Sequence, residues 1–456
     1  MAAPDVQLLL AWRIMISRLL ICSSLDYMDI QYPILGFAKR RCILVLCLLL
    51  LIWIYKKFMS SFVLIATIAI FLFSCPAQGS ENYDLVITNV GLFDGITDKG
   101  EVNVAIKADS IAKISTDHIS GDSVIDGKGK YLIPGLINAH VHATKPEDLK
   151  SAIQSGIVVV LDLHQSSEKR AALLRSYRDS TDHASFYSSG FSATLPNGHP
   201  TQYGEIETIS NSLTAGQWVQ NRLNNGADFI KIIRETGGGP PDFQEIPTLE
   251  FNQIQEIIKS ADAHQKVSVA HTSTLEETMI IAELGVDGFA HLWMGTDSAS
   301  DQQLKLLKEL NIFVIPTAQT QLEIWRTKVD GAPQRIKEYV HQNLSTMELI
   351  KSELARIHEA EIPILAGNDP PNFGIGYGED LLVELGIYSE AGLSNIEVLK
   401  TATGNPAKAF KLNSYGRIKK NMPANLVLID GNPLEDLEAL KKIQYIWKNG
   451  KQVKLR

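Results

Sequence analysis

The chain has 456 residues, 45% of them hydrophobic and 21% charged, which excludes a disordered chain and suits one large domain plus a smaller one. Residues 1–75 carry 7 basic and 3 acidic side chains of the 43 and 51 in the whole chain, leaving 36 against 48 and a net charge of −12 beyond them; so acidic a body has no electrostatic footprint for nucleic acid. The four cysteines are Cys22, Cys42, Cys47 and Cys75. None lies beyond Cys75, so the body has no disulfide and any metal in it must be held by nitrogen and oxygen.

Residues 1–80 read as a membrane or export segment. Lys39-Arg40-Arg41 precede the apolar run 42–55; Lys56-Lys57 and a second apolar run, 58–73, follow. A basic pair, an apolar stretch and small residues beyond it are the parts of an export signal. Leu72-Phe73-Ser74-Cys75 resembles a bacterial lipobox, which implies lipidation of Cys75 and a membrane-anchored place in the cell envelope. The alternative is one or two transmembrane helices, although 58–73 falls short of the ~20 residues a span needs.

Short alternating strands follow at 83–94, 102–106, 111–114 and 124–129. The same style returns at 416–418, 425–430 and 443–448, with Asn449-Gly450 as a hairpin signal. These two groups predict one small β-sandwich domain built from residues 81–131 and 413–456.

Between them, over residues 132–412, strands and helices alternate. Strands are expected at 132–137, 157–163, 184–188, 229–233, 267–270, 288–290, 313–316 and 364–366, with helical patterns such as 249–263, 275–284 and 301–310. Alternation of this kind predicts a parallel sheet, and eight repeats in ~250 residues match an α/β fold of (β/α)8 TIM-barrel type. Chemistry in such barrels sits where the strands end.

The unusual residues fall there. In LIPGLINAHVHA (132–143), His140 and His142 are one residue apart at a strand end and face the same side. Imidazole suits zinc and its neighbours. Lys231 lies inside FIKII, where an unpaired lysine is costly to bury. His271, His291 and Asp369 follow later strands. Any one of them alone could be an ordinary core residue; six such residues on five strands could not.

Together with GADFIKI (226–232), VAHTSTLEETMIIAELGVDGFAH (269–291), AGND (366–369) and TATGNPAKAF (401–410), these motifs resemble the amidohydrolase superfamily. The resemblance runs from Tyr83 to the C-terminus and favours the binuclear subtype, in its imidazolonepropionase-like and Xaa-Pro-dipeptidase-like branch. It implies one divalent ion on His140, His142 and Asp369, and a second on His271 and His291, both Zn²⁺ or a similar ion. It implies a Lys231 carbamylated by CO₂ and bridging the two. The chemistry implied is hydrolysis of a C–N bond of a small molecule, such as a dipeptide or N-acyl amino acid, by a metal-bridging hydroxide. Asp369 would act as general base and then acid.

Some positions depart from that pattern. Strand two ends in Asp162-Leu163-His164 where the family more often has glycine last; His164 is read as a surface histidine, with a pocket residue as the alternative. Loops 191–205, 236–247 and 370–379, rich in Gly and Pro, are expected to form the substrate pocket; His199 and Tyr203 either help polarise a substrate carbonyl or belong to an ordinary surface loop. Lys231 has an alternative as an ordinary ammonium paired with Asp369. Two other functions compete: a lactone, ester or phosphotriester hydrolase on the same site, and a non-catalytic binding protein. The expected partners are a small-molecule substrate and a membrane, with a homo-oligomer left open.

Overall fold

Both ends of the described chain enter one sheet. The structure, a computed structural model, describes residues 82–236, 246–293, 297–329 and 347–456. The export segment expected over 1–80, with Cys75, and residues 237–245 of one expected pocket loop lie outside the described residues. Among the described residues no helix is long and apolar enough to cross a membrane.

Strands β1 (Leu85–Phe93), β2 (Asp98–Lys107), β3 (Ser110–Ser115), β4 (Ser123–Asp126) and β5 (Lys130–Pro134) come from the first stretch. After β6 to β12, described below, β13 (Leu426–Asp430), β14 (Ile443–Lys448) and β15 (Lys451–Gln452) come from the last. They pair in the order β15-β14-β13-β5-β1-β2-β3, with β4 beside β1. The sheet rolls, so that Ile111 at one end and Trp447 near the other share a core with Val104, Leu132 and Leu428. Asn449 and Gly450 join β14 to β15 with φ of 50° and 73°, the backbone of a primed hairpin turn. Residues 416–418, expected to be a strand, contribute one bond from Ile418 N–H to the Asp94 carbonyl (3.0 Å) and no strand. Lys448 ties β14 to the neighbouring barrel: its buried Nζ donates to the carbonyls of Arg178, Ser180 and His183 at 2.8, 2.8 and 2.7 Å.

Residues 132–137 are not one strand. The chain breaks at Gly135, whose N–H reaches the Asn425 carbonyl at 3.0 Å. Leu132 and Ile133 stay in the rolled sheet, opposite Leu428 and Val427. The first barrel strand, β6 (Leu136–Val141), starts afterwards. Pro134 and Gly135 were the visible signals, since neither sustains a ladder.

The barrel strands are β6, β7 (Ile157–Asp162), β8 (Ser185–Ser188), β9 (Ile230–Arg234), β10 (Ser268–Thr272), β11 (Gly288–Ala290) and β12 (Phe313–Ile315). They pair parallel as β6-β7-β8 and β9-β10-β11-β12. Ala193 bridges the two groups, giving its N–H to Lys231 O (2.8 Å) and accepting from Ile233 N–H (3.0 Å). The eighth position, expected as a strand at 364–366, is a bridging segment. Leu365 N–H binds Val314 O (2.9 Å) on one side; Ala366 O accepts from Ala139 N–H (2.8 Å) on the other. Asp369 N–H then binds His140 O (2.9 Å), so hydrogen bonds return to β6. The result is a TIM-barrel-like α/β fold.

Local sequence explains the parts. Residues 157–161, IVVVL, are fully buried, as strands covered on both faces must be. The helix Phe251–Ala263 buries Ile254, Ile257, Ile258 and Ala261, the i, i+3, i+4, i+7 stripe of a helix packed on a sheet. Thr214/Gln217, Ser300/Gln303 and Ser394/Glu397 form capping boxes at three other helix starts.

Gly367 sets how closely the eighth segment approaches β6. A Cβ there would lie 2.7 Å from Ile315 Cγ2, 2.8 Å from His140 N and 2.9 Å from His140 Cβ. Gly386, inside the helix Asp380–Glu390, has open space around its Cβ position. The same substitution should therefore act in opposite directions. Gly367→Ala should cost ~1–3 kcal/mol of unfolding free energy, and Gly386→Ala should add ~0.5–1 kcal/mol. Urea unfolding midpoints measure both.

Candidate metal centre

Six sequence-predicted residues come together. His140 lies in β6 and His142 one residue past it, Lys231 in β9, His271 in β10, His291 one residue past β11, and Asp369 in the closing segment. His140 Nε2 and His142 Nε2 are 3.3 Å apart. Asp369 Oδ1 is 3.3 Å from the first and 2.9 Å from the second. The His291 ring is 4.8 Å from that of His140 and 4.7 Å from that of His271, centroid to centroid. Ligand atoms of His140, His291 and Asp369 all lie within 4.8 Å of one another.

The second nitrogen of two of these histidines fixes the first. His142 Nδ1 lies 3.2 Å from the His164 carbonyl; a carbonyl only accepts, so Nδ1 carries the hydrogen. The Thr317 hydroxyl donates to the Pro316 carbonyl (2.8 Å) and accepts from His291 Nδ1 (2.6 Å). On both rings Nε2 is left as a lone pair. Among the described residues, His140 Nδ1, His271 Nε2 and Lys231 Nζ are buried without a hydrogen bond. Imidazole nitrogens and a carboxylate oxygen gathered this closely are a donor set that fits a divalent cation. Lys231 has no hydrogen bond to Asp369, so the paired-ammonium alternative is not formed.

Burial dominates the electrostatics. It pushes the Lys231 ammonium down to about 7, opposed by the charge of Asp369. Burial, with the nearby cationic groups, holds His140 and His291 well below the usual imidazole range. His142 is raised: burial lowers it, but the hydrogen bond and charge of Asp369 outweigh burial.

The chain's own groups brace these ligands. Asp162 is fully buried and accepts from Ser188 Oγ (2.7 Å), Gln165 Nε2 (2.7 Å) and Ala143 N–H (3.1 Å), which fixes the backbone just beyond His142. The Tyr377 hydroxyl donates to the His142 carbonyl at 2.7 Å. Asn138 donates to Asn368, and Asn368 to Gln319, at 2.7 and 3.1 Å. Sequence reasoning did not assign these roles. Asp162, a lone carboxylate ending an all-apolar strand, was the clearest signal available.

His164 corrects the expectation of a surface histidine. It is 8% exposed; its ring is 6.2 Å from that of His142, near perpendicular, and its Nδ1 is 3.1 Å from Ser192 Oγ. Its position after β7 turns it inward, toward β8 and β6. His199 is also brought in: its ring is 5.6 Å from that of His271, and Gln202 donates to its Nδ1 at 2.6 Å. Burial, then His271, lowers its pKa to about 4. Glu235, unassigned from sequence, reaches His199 and His271 at 3.6 and 3.5 Å. Tyr203 is 61% exposed and its ring is 6.0 Å from that of His199.

Known proteins resemble this chain in sequence and fold. The chain is 22% identical over 376 residues to a dihydroorotase of Pyrococcus furiosus, covering 76% of this chain and 83% of that one. It is 25% identical over 391 residues to an adenine deaminase of Desulforamulus reducens, covering 83% of this chain and 58% of the relative's length. Among solved structures, a Xaa-Pro dipeptidase with bound methionine in its active site superposes with a TM-score of 0.67 at 20% identity. That match covers 81% of this chain and 99% of that one. The amidohydrolase family profile matches residues 131–453, nearly the whole barrel and the last strands of the rolled sheet, and the chain belongs to the amidohydrolase family.

Proposed function

We propose that this hydrolase of carbon–nitrogen bonds cleaves the amide or cyclic amide of a small molecule, such as a dipeptide or N-acyl amino acid. The observation that carries the reading is the convergence of imidazole nitrogens and the Asp369 carboxylate around a buried Lys231 amine that has no hydrogen bond among the described residues. His140, His142, His271, His291 and Asp369 would hold two divalent ions, zinc or similar. Bound there, the ions would supply Lewis acidity and an acidified water near neutral pH. Lys231 would complete the set as a carbamate: its neutral amine adds to CO₂, a proton leaves, and an anionic oxygen replaces a buried cation. The lowered pKa of Lys231 supports this, because only the neutral amine reacts.

The remaining steps belong to the chain itself. Asp369 takes the proton of the attacking water and returns it to the leaving nitrogen. His199, beside His271, holds the substrate carbonyl. Xaa-Pro dipeptides are the first substrates to try, given the fold shared with a Xaa-Pro dipeptidase. Residues 1–80 would place the enzyme at the cell envelope through a lipid on Cys75, a reading supported by Leu72-Phe73-Ser74-Cys75 alone.

Three outcomes are expected. The chain purified with zinc and bicarbonate should hold close to two ions by elemental analysis, and the double variant His140→Asn, His142→Asn should lose at least one; a wild-type chain without metal would end the reading. Lys231→Ala should lose more than ~100-fold in kcat/KM, since even residues that only orient metal ligands cost 10–100-fold. A short carboxylic acid should restore part of that loss, whereas Lys231→Arg, always charged, should be inactive; an active arginine variant would reject the carbamate. Cys75→Ala should move the protein out of the detergent phase, and an unprocessed wild-type N-terminus without lipid would reject the anchor.

A further inference from the structure

The surroundings of His164 settle which of its nitrogens carries a proton. The backbone N–H of Ser192 is directed at His164 Nδ1 over 3.3 Å. An amide N–H can only donate, so Nδ1 is bare and accepts. The Ser192 hydroxyl is 3.1 Å from the same Nδ1 and 3.1 Å from the Leu163 carbonyl. Its single hydrogen can serve either, and neither choice puts a proton on Nδ1, because the amide hydrogen already occupies that direction. A neutral imidazole with a bare Nδ1 carries its hydrogen on Nε2.

Among the described residues, that Nε2 is buried and has no acceptor. The Nδ1 edge of the ring is fastened to the scaffold of β7 and β8, while the ring stands near perpendicular to that of His142, 6.2 Å away. The same residue's carbonyl accepts from His142 Nδ1. A fixed, buried N–H donor thus stands beside His142. Leaving such a donor unmade is unfavourable, and an acceptor oxygen brought beside His142 would relieve it.

We propose that His164 Nε2–H is a substrate-binding donor, which takes an acceptor oxygen, carbonyl or carboxylate, of the substrate beside His142. The proposal rests on the amide-hydrolase reading for its substrate class. It makes His164 a specificity residue: a ligand with an apolar group at that position leaves the donor unpaired and is rejected.

The test uses the full chain loaded with zinc and bicarbonate. Ring-nitrogen NMR of the ¹⁵N-histidine-labelled protein, with His164 identified by its loss in His164→Phe, should show Nε2 protonated and Nδ1 bare; a protonated Nδ1 overturns the proposal. His164→Phe keeps a ring without a donor. It should lower kcat/KM on the best-cleaved aminoacyl-proline at least about tenfold with metal content unchanged, and His164→Gln, which keeps a donor, should recover part of the loss. Unchanged kcat/KM in the phenylalanine variant, or a loss that tracks loss of metal, overturns it. Calorimetric binding of N-acetylproline, which carries both kinds of oxygen, makes the same comparison without turnover. A chain with no C–N hydrolase activity but a tenfold weaker N-acetylproline affinity in His164→Phe would defeat the hydrolase reading and keep this one; equal affinities would defeat this one.

Discussion

The molecule has to hold like against like. At the barrel mouth, imidazole lone pairs, one carboxylate oxygen and an amine are packed within a few ångströms with no hydrogen bonds among most of them. Left to themselves these groups would turn outward to water. Four of them are gripped from behind: Asp162 fixes the chain after His142, Thr317 the far side of His291, and the Asn138–Asn368–Gln319 relay the backbone around His140 and Asp369. His291, Thr317 and Asp369 also sit at φ of 71°, 49° and 59°, where a residue with a side chain is strained by roughly 1–3 kcal/mol. Strain of this kind persists only where a rigid frame enforces it, and here the frame is the ring of hydrogen bonds from β6 round to the 364–369 segment.

The histidines divide by what their second nitrogen does. His142 and His291 each spend Nδ1 on an oxygen of the scaffold, which aims Nε2 at the centre. His164 spends Nδ1 on a backbone amide, which is a donor, and the outcome is inverted: its outer nitrogen offers a hydrogen instead of a lone pair. His199 spends Nδ1 on Gln202 and stands nearer Glu235 and His271. One residue type thus presents both lone pairs and a donor, and the difference is set by the single group that meets each Nδ1.

Those groups are why part of the site was not legible in the sequence. The cluster of His140, His142, Lys231, His271, His291 and Asp369 was legible because each member interrupts or ends an apolar strand segment, where a titratable side chain is costly to keep unless it has chemistry to do. The barrel was legible because strand and helix periods alternate along the middle of the chain. His164 was not, because its sequence neighbours describe a strand end and say nothing about whether Ser192, beyond the next strand, folds back against it. Glu235 and the asparagine relay depend likewise on contacts between loops that meet only in three dimensions. The misplaced boundary at 132–137 has another cause: both halves of LIPGLI are apolar, so hydrophobicity alone could not show that Gly135 hands the chain from one core to another. The eighth strand failed through length, since the short run 364–366 next to Gly367 forms bridges without a ladder.

The rolled sheet has a consequence for the order in which the molecule can be made. β5 leads into the first barrel strand, yet its long edge pairs with β13, where Pro134 lies opposite Leu426 from the far end of the chain. On its other side β5 meets β1 only through Tyr131 and Leu132. On a ribosome adding ~5–20 residues per second, that edge waits roughly 15–60 s for its partner. Throughout that interval Leu132 and Ile133 present an apolar, unpaired strand edge. A nascent chain stalled before residue 426 therefore carries an adhesive edge, and whatever shields nascent chains in its cell is needed most in that window.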